Sequence, residues 1–316
     1  MVTFIGPTLL SGIGQMLHKY LYVFPGSKYV ELIPGQVPSG DVAVIFALPA
    51  GPWLELIPEI KRNFKKVHCM SICETETVHE DYGKLFEHFS EIIVASDFCK
   101  KVFSRQFPGT NFLVWRAHVP RPPKSCKSQK VLDLPKNRYV FYHIGNIVDP
   151  RKNLRGILEA FLRLNRPDET FLVLKATCIQ PIEIKLPNVL VINGLLPEAE
   201  MECIHEACHC YVSFSNSEGI GMGAVEAALH SKPVIITDYG GAVEYIKTPY
   251  VVPCGLQEIP RDDFLFKKGM LWGQPSSDKL LEFMGHAFDN KVYYMEHSHT
   301  KELVGAPEIQ RTCPFM

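Results

Sequence analysis

Two glutamates eight positions apart, Glu218 and Glu226, frame a loop with glycine at alternate positions, Gly219, Gly221 and Gly223. Glycines ahead of a helix let backbone N–H groups close on an anion, which also feels the positive end of the helix dipole. Carboxylates beside the same loop suit hydroxyl groups and repel phosphate. Amides for a diphosphate and carboxylates for sugar and ribose hydroxyls together describe a site for a phosphorylated sugar. The backbone of Gly219, Ile220, Gly221 and Met222 would line it.

The surrounding residues read as the elements that must hold this loop. In YVSFSNSEGIGMGAVEAALHSKPVIITDYGGAVE (211–244), a β-rich run stops at a polar turn, and the glycines open an Ala-rich helix. A second apolar strand then ends in Asp238 and the pair Gly240-Gly241. Along the whole chain apolar runs alternate with amphipathic stretches, the pattern of parallel βαβ units and an α/β fold. In the first half the expected strands are 2–5, 42–47, 67–71, 92–95 and 112–115, with helices at 12–20, 53–63, 82–89 and 97–106. Residues 119–137, rich in Pro, Lys and Ser with no apolar period, read as a linker. Beyond it, strands are expected at 139–144, 170–176, 189–192, 210–214 and 234–237, and helices at 154–164, 198–207, 223–230 and 276–288. Two such halves would face each other across a cleft, with ligands beyond the carboxyl ends of the strands.

The 316 residues, 46% hydrophobic and 21% charged, make an ordinary globular composition with room for two domains. A net charge of −1 with interspersed signs carries no basic footprint, so nucleic acid is excluded as a partner. No apolar run reaches the roughly 18–20 residues needed to span a bilayer. The first residues, MVTFIGPTLLSGIGQ, read as a strand and loop and not as a signal peptide, which points to the cytoplasm and leaves peripheral membrane contact open. Of the ten cysteines, Cys69, Cys99, Cys178, Cys203 and Cys208 fall inside expected elements and read as free thiols. The cluster Cys203, His205, Cys208, His209 and Cys210 is crowded onto one short helix and strand without a distant second ligand pair, so no metal site is expected.

Glu218 and Glu226 match the E-x7-E element of retaining glycosyltransferases with the GT-B fold, the family 4-like group (glycosyl transferases group 1). VLVINGLLPEAEMECIHEACHCYVSFSNSEGIGMGAVEAA resembles that family's run of strand, Gly, short helix, strand, Ser and E-G-x-G. YHIGNIVDPRKNLRGILEAF is similar to the segment that opens its donor-binding domain, and ICETETVHEDYGKLFEHFSEIIVASDFCKKVF to its acceptor-domain stretch. Together these cover roughly residues 67–250. The resemblance implies a GT-B architecture of two Rossmann-like domains. Residues 1–120 would bind the acceptor and 138–290 the nucleotide sugar. The helix at 276–288 would cross back to the first domain, and the tail 291–316 would pack on it.

The implied reaction moves a sugar from a nucleoside-diphosphate donor to a glycan, glycolipid or protein-linked acceptor, with no cofactor and no metal. Lys152 takes the position of the family's phosphate-binding lysine, and Arg151 is its neighbour. Glu218 would contact donor-sugar hydroxyls and Glu226 the ribose. Gly145 would let the backbone approach the phosphates, as would Gly12 and Gly14 in the first domain. Lys175 would reach the phosphates or the base, and Asn193 lies where the base-contacting loop falls. On the acceptor side stand Glu74, Thr75, His79 and His118. No general base is assigned, because the leaving phosphate of such enzymes is thought to take the acceptor proton. Three departures from the pattern stand out: Asn146 replaces an arginine, Gly223 replaces a proline, and the first half is short.

Other readings compete for the same residues. Gly219-x-Gly221-x-x-Ala224 after a strand, with Asp238 ending the next, fits a dinucleotide fingerprint, but it follows several strands where that fingerprint opens its domain. A GT-B-shaped protein that binds a nucleotide sugar or a partner glycosyltransferase without turnover is the second alternative. A sugar-nucleotide epimerase of the same fold is the third.

Overall fold

Strand-forming runs and amphipathic stretches become the elements of two separate parallel sheets. The computed structural model describes residues 1–121, 134–135, 137–178 and 180–315, so most of the linker expected at 119–137 lies outside the described residues. The chain divides into two units. Unit 1 comprises Met1–Pro120, Gln257–Trp272 and Glu302–Met316, and unit 2 comprises Arg121–Leu256 and Gly273–Lys301.

Unit 1 opens with β1 (Val2–Gly6), α1 (Gly12–Lys19), β2 (Lys28–Glu31), β3 (Gly40–Phe46), α2 (Trp53–Asn63), β4 (Phe64–Ser71), α3 (Asp81–Phe86), β5 (Glu91–Val94), α4 (Asp97–Gln106) and β6 (Asn111–Val114). Its sheet runs β2-β1-β3-β4-β5-β6, all parallel. Strand order reverses between β1 and β3. Ile5, Ile45, Ile92 and Val94 are fully buried between helices, packed with an aromatic group of Tyr82, Phe86, Phe103 and Phe112.

Unit 2 contains β7 (Tyr139–Gly145), α5 (Leu154–Leu164), β8 (Thr170–Ala176), β9 (Val189–Ile192), α6 (Glu198–Ala207), β10 (Cys210–Val212), α7 (Met222–Leu229), β11 (Val234–Thr237), α8 (Ala242–Tyr245) and β12 (Val251–Val252). The sheet order is β12-β11-β10-β7-β8-β9, again all parallel. Counted from its first strand this is 3-2-1-4-5-6, the order of dinucleotide-binding folds, with the switch point between β7 and β10. The unit boundaries fall within β13 (Cys254–Glu258) and β14 (Leu271–Pro275), a two-stranded sheet of their own. After it come α9 (Ser277–Asp289), α10 (Ser298–Leu303) and α11 (Ala306–Arg311).

The helix expected at 276–288 packs its apolar face into unit 2. It is α9, and its Leu280, Met284, Ala287 and Phe288 are buried in the core of unit 2. An amphipathic period identifies a helix and its apolar face but not the sheet that the face covers. The segment that belongs to unit 1 is Glu302–Met316. There the Trp115 indole N–H donates to Ile309 O (3.0 Å), Gln310 donates to Val23 O (2.9 Å), and Phe315 packs on Phe4, Phe24 and Trp115. The edge strand β2 also escaped the sequence pattern, because its four residues are half exposed and carry no apolar run.

Cys69, Cys73, Cys99, Cys178, Cys208, Cys210, Cys254 and Cys313 are free thiols. Cys203 departs from the sequence expectation and is disulfide-bonded. No helix among the described residues is long and apolar enough to cross a membrane.

Candidate active site

At the switch point of unit 2 two loops leave the carboxyl ends of adjacent strands. The first follows β7. Asp149 caps a turn of 3₁₀ helix at Pro150–Lys152 by accepting from the Arg151 N–H (2.9 Å), and Pro150 sits where the missing N–H costs nothing. Asn153 then takes the left-handed conformation (φ 50°, ψ 46°) and its side chain accepts from Gly156 N–H, starting α5. These caps hold Arg151 and Lys152 side by side on a fixed turn.

The second loop follows β10, and its residues 213–221 are buried. The two loops are joined through Asn216, whose N–H donates to Arg151 O (2.7 Å) and whose side chain accepts from the Asn153 amide (3.4 Å). Glu218, 9% exposed, sits at the centre. Its Oε1 accepts from Lys152 Nζ at 2.6 Å and from the Ser215 hydroxyl at 2.7 Å, and its Oε2 lies 3.4 Å from Arg151 Nη1. Arg151 also donates to Ser217 O and pairs with Asp149. Burial by itself would raise the Glu218 carboxyl, but the Lys152 and Arg151 charges and the hydrogen bonds from Lys152 and Ser215 bring it down to about 2. Glu218 is therefore ionised at any physiological pH.

The glycines here answer to sterics. Gly240 has φ +82°, and a Cβ on it would come within 2.5 Å of Glu218 O, while Gly241 N–H donates to that same oxygen (2.7 Å). The Gly pair thus seats the Glu218 backbone. Gly221 caps α7 with φ +75°, a conformation that strains residues with a side chain. Gly223 admits the Tyr211 hydroxyl, which donates to Ile144 O (3.1 Å). A Cβ on Gly145 would meet His143 Nε2 at 3.3 Å and Lys152 Cε at 3.7 Å. His143 itself is 1% exposed, donates from Nδ1 to Val212 O (2.8 Å), and has no hydrogen-bond partner at Nε2. Burial pushes it down to about 4, so the imidazole is neutral beside Lys152.

The remaining expected residues of unit 2 are placed as follows. Glu226 lies on α7, with Oε2 3.8 Å from His205 Nε2. Lys175 is buried and donates to the carbonyls of Ala176 and Gly194, so its ammonium is held on the chain's own backbone. Asn193 clamps Ile182 through both its N–H and its C=O. Asn146, in place of the resembled arginine, accepts from the Cys178 thiol (3.1 Å).

In unit 1, Ser11 caps α1 by accepting from Gly14 N–H (3.0 Å), and a Cβ on Gly14 would strike Thr8 O at 2.4 Å, whereas Gly12 has open space. The residues expected on the acceptor side are separated. Thr75 donates to Thr77 O, and His79 Nδ1 accepts from Asp81 N–H (3.2 Å), both in the loop after β4 that also holds Glu74. His118, 4% exposed, contacts Val304 O through Nδ1 (2.8 Å) beneath the C-terminal segment, and burial lowers its pKa.

Sequence reasoning missed Asp149, Ser215, Asn216 and His143. Asp149-Pro150 ahead of a basic pair was a legible cap signal, and Ser215 three positions before Glu218 a weaker one. Nothing local marks His143, whose role depends on which strand lies beside β7.

Residues 125–256 match the family described as glycosyl transferases group 1. The fold is GT-B, and the group 1 glycosyl transferase match falls on unit 2. A glycosyltransferase from Rickettsia africae superposes with a TM-score of 0.64 at 12% identity, over 98% of this chain and 92% of that one. Anabaena HepE, crystallised with UDP and glucose, gives 0.59 at 12% identity over 98% and 97%. Staphylococcus aureus TarM, crystallised with UDP and α-GlcNAc-glycerol, gives 0.56 at 13% identity over 85% of this chain. This chain spans 54% of TarM's length. At such identities the likeness establishes the fold and nothing finer. No curated protein sequence matches the chain. The buried network of Glu218, Lys152 and Arg151 lies wholly within the matched residues 125–256.

Proposed function

We propose that this protein is a retaining, metal-independent glycosyltransferase that moves a sugar from a nucleoside diphosphate to a glycan, glycolipid or protein-linked acceptor. The observation that carries the reading is the buried Lys152–Glu218–Arg151 network at the switch point of unit 2, beside the N-terminus of α7. Breaking the bond between an anomeric carbon and a diphosphate puts new negative charge on the leaving oxygens. Lys152, with Arg151 beside it, and the amides of Gly219, Ile220, Gly221 and Met222 supply positive potential for that charge, each well-placed donor contributing roughly 3–4 kcal/mol. Glu218, ionised at neutral pH, accepts from the hydroxyls of the transferred sugar, and Glu226 from the ribose. The departing phosphate oxygen takes the acceptor proton, so no side-chain base is required.

A donor panel tests this. Thermal unfolding with UDP-, GDP-, ADP- and dTDP-sugars should select one nucleotide, and transfer or hydrolysis of that donor should persist in EDTA. Binding without any turnover in single-turnover assays would instead support a nucleotide-sugar-binding protein, in keeping with Asn146 replacing a cation. No response to any donor would sink the proposal. A cytoplasmic location belongs to the same reading and is checked by cell fractionation.

A further inference from the structure

The His and Cys residues that crowd α6 and the start of β10 are not arranged around an ion: no group of three or more His, Cys, Asp or Glu among the described residues is placed to hold a metal. One of them, His205, is built into the proposed nucleotide site. It is 1% exposed, and its Nδ1 lies 2.9 Å from the Tyr142 hydroxyl. Tyr142 is fully buried, and desolvation pushes its phenol well above the usual range, so the hydroxyl stays protonated and able to donate. Because His205 Nε2 faces a carboxylate oxygen, which only accepts, we assign the tautomer with the proton on Nε2 and Nδ1 accepting from Tyr142. Burial likewise lowers the pKa of His205 against the opposing pull of Glu226, which keeps the ring neutral. A neutral imidazole that accepts at Nδ1 carries its own proton at Nε2.

That Nε2–H has no partner at hydrogen-bonding distance, and it faces Glu226 Oε2 across 3.8 Å. The neighbouring imidazole does not compete for this carboxylate. His230 stacks parallel on His205 (4.7 Å, 12°) and pairs its own Nε2 with Glu202 Oε2 at 2.8 Å. Two helices therefore exchange His–Glu pairs, His205 of α6 with Glu226 of α7 and Glu202 of α6 with His230 just beyond α7. The His230–Glu202 pair is in contact by distance, though Glu202 Oε2 takes no hydrogen bond of good geometry, and the His205–Glu226 pair stands open by about one ångström over a normal N–H···O bond.

We propose that His205 is a positioning residue for Glu226, its Nε2–H holding one carboxylate oxygen so that the other is presented to the 2′ and 3′ hydroxyls of a nucleoside diphosphate. The gap closes when the ribose draws the carboxylate into register, and Tyr142 fixes the tautomer that makes this possible. The inference rests on the reading of Glu226 as the ribose acceptor, and it makes the site selective for ribose over sugars lacking those hydroxyls.

Calorimetric titration of the full chain with UDP, GDP and ADP, each beside its 2′,3′-dideoxy counterpart, tests the two readings separately. The wild type should bind the preferred ribonucleotide at least tenfold more tightly than its dideoxy analogue. In His205→Phe that ratio should fall below threefold while inorganic pyrophosphate binds as before, and His205→Gln, which keeps an amide donor, should restore part of it. Tyr142→Phe should give an intermediate ratio. If Phe prevents folding, His205→Leu carries the same measurement. A wild-type ratio retained in His205→Phe or His205→Leu overturns the positioning role alone. A wild type that binds none of the diphosphates, or binds both sugars equally, overturns the ribose assignment of Glu226 and this inference with it.

Discussion

The carboxyl end of each sheet is a point where strand order reverses, yet the two ends are furnished differently. In unit 2 the loops after β7 and β10 bury a carboxylate, an ammonium and a guanidinium in one network, with side-chain exposures of 11%, 14% and 12%. In unit 1 the loop after β1 closes on itself through Ser11, Thr8 and Gly14, and it carries Leu9 and Leu10 exposed at its tip. Ion pairs of that unit, such as Lys65–Asp41 and Arg105–Glu76, stand open to solvent. Burying charge costs several kcal/mol per ion before the partners offset it, and apolar side chains of like volume would serve stability as well. A fold can afford the second arrangement anywhere, whereas the first persists where chemistry needs it.

The sharpest way to break this comparison is to remove the central charge. Glu218→Gln leaves Lys152 and Arg151 buried without their shared carboxylate. It should destabilise the protein by about 3 kcal/mol in urea unfolding and reduce turnover by roughly a hundredfold or more. Asp41→Asn in unit 1, where both partners of the Lys65–Asp41 pair stand in solvent, should leave stability essentially unchanged. Equal effects at the two positions would erase the distinction.

Gly240→Ala probes the same network through the backbone. With φ +82° and Glu218 O only 2.5 Å from the new methyl, the loop must shift, and a loss of about 2 kcal/mol with a parallel loss of donor binding is expected. Gly12→Ala meets no atom within 4 Å and should be nearly silent in unfolding experiments. Lys152→Ala comes next. It should lower kcat tenfold or more and raise the donor KM by much less than that, because its charge matters most as the diphosphate leaves. A variant with unchanged kcat and a raised KM would assign Lys152 to ground-state binding only.

The smallest effect is on pH dependence. His143 has a folded-state pKa of about 4, below its unfolded value near 6.5, so the unfolded chain binds the extra proton between those limits. Stability should therefore fall as pH drops through that window. Glu218, held at about 2, adds a stabilising term that is complete above the unfolded carboxylate pKa and is lost as pH falls toward 2. His143→Phe should flatten the slope between pH 6.5 and 4 while leaving the steeper acid limb. An unaltered slope would show that the His143 imidazole titrates normally.

The architecture was largely legible in the chain. Helices 53–63, 97–106, 154–164 and 198–207 and strands 170–176, 189–192 and 234–237 have the bounds expected from their apolar periods. Those periods are local properties, and the elements they predict are long and strongly patterned. Elements with weak patterns were lost: β2 at a half-exposed edge, the β13–β14 ribbon, and α11. At the site, Glu218, Lys152 and Arg151 were readable because a Gly-dense loop and a capped basic pair are punctuation that the backbone requires. Lys175 stayed ambiguous in the sequence, because a lysine ending a strand reads alike as ligand or as structural until the carbonyls around it are known, and here its ammonium donates to those of Ala176 and Gly194.

By itself, then, the sequence determined where chain turns, where it is buried, and which side chains could serve a phosphorylated sugar, since periodicity, caps and glycines act within a few residues. Tertiary structure alone decided which of those side chains meet. Strand order brought the end of β7 beside the end of β10, across more than sixty residues of chain, and so joined Lys152 to Glu218. It also set α9 on unit 2 and gave His205 a tyrosine on one side and a carboxylate on the other. Such pairings follow from how sheets order themselves and how helices find a face to cover, and no local pattern encodes them.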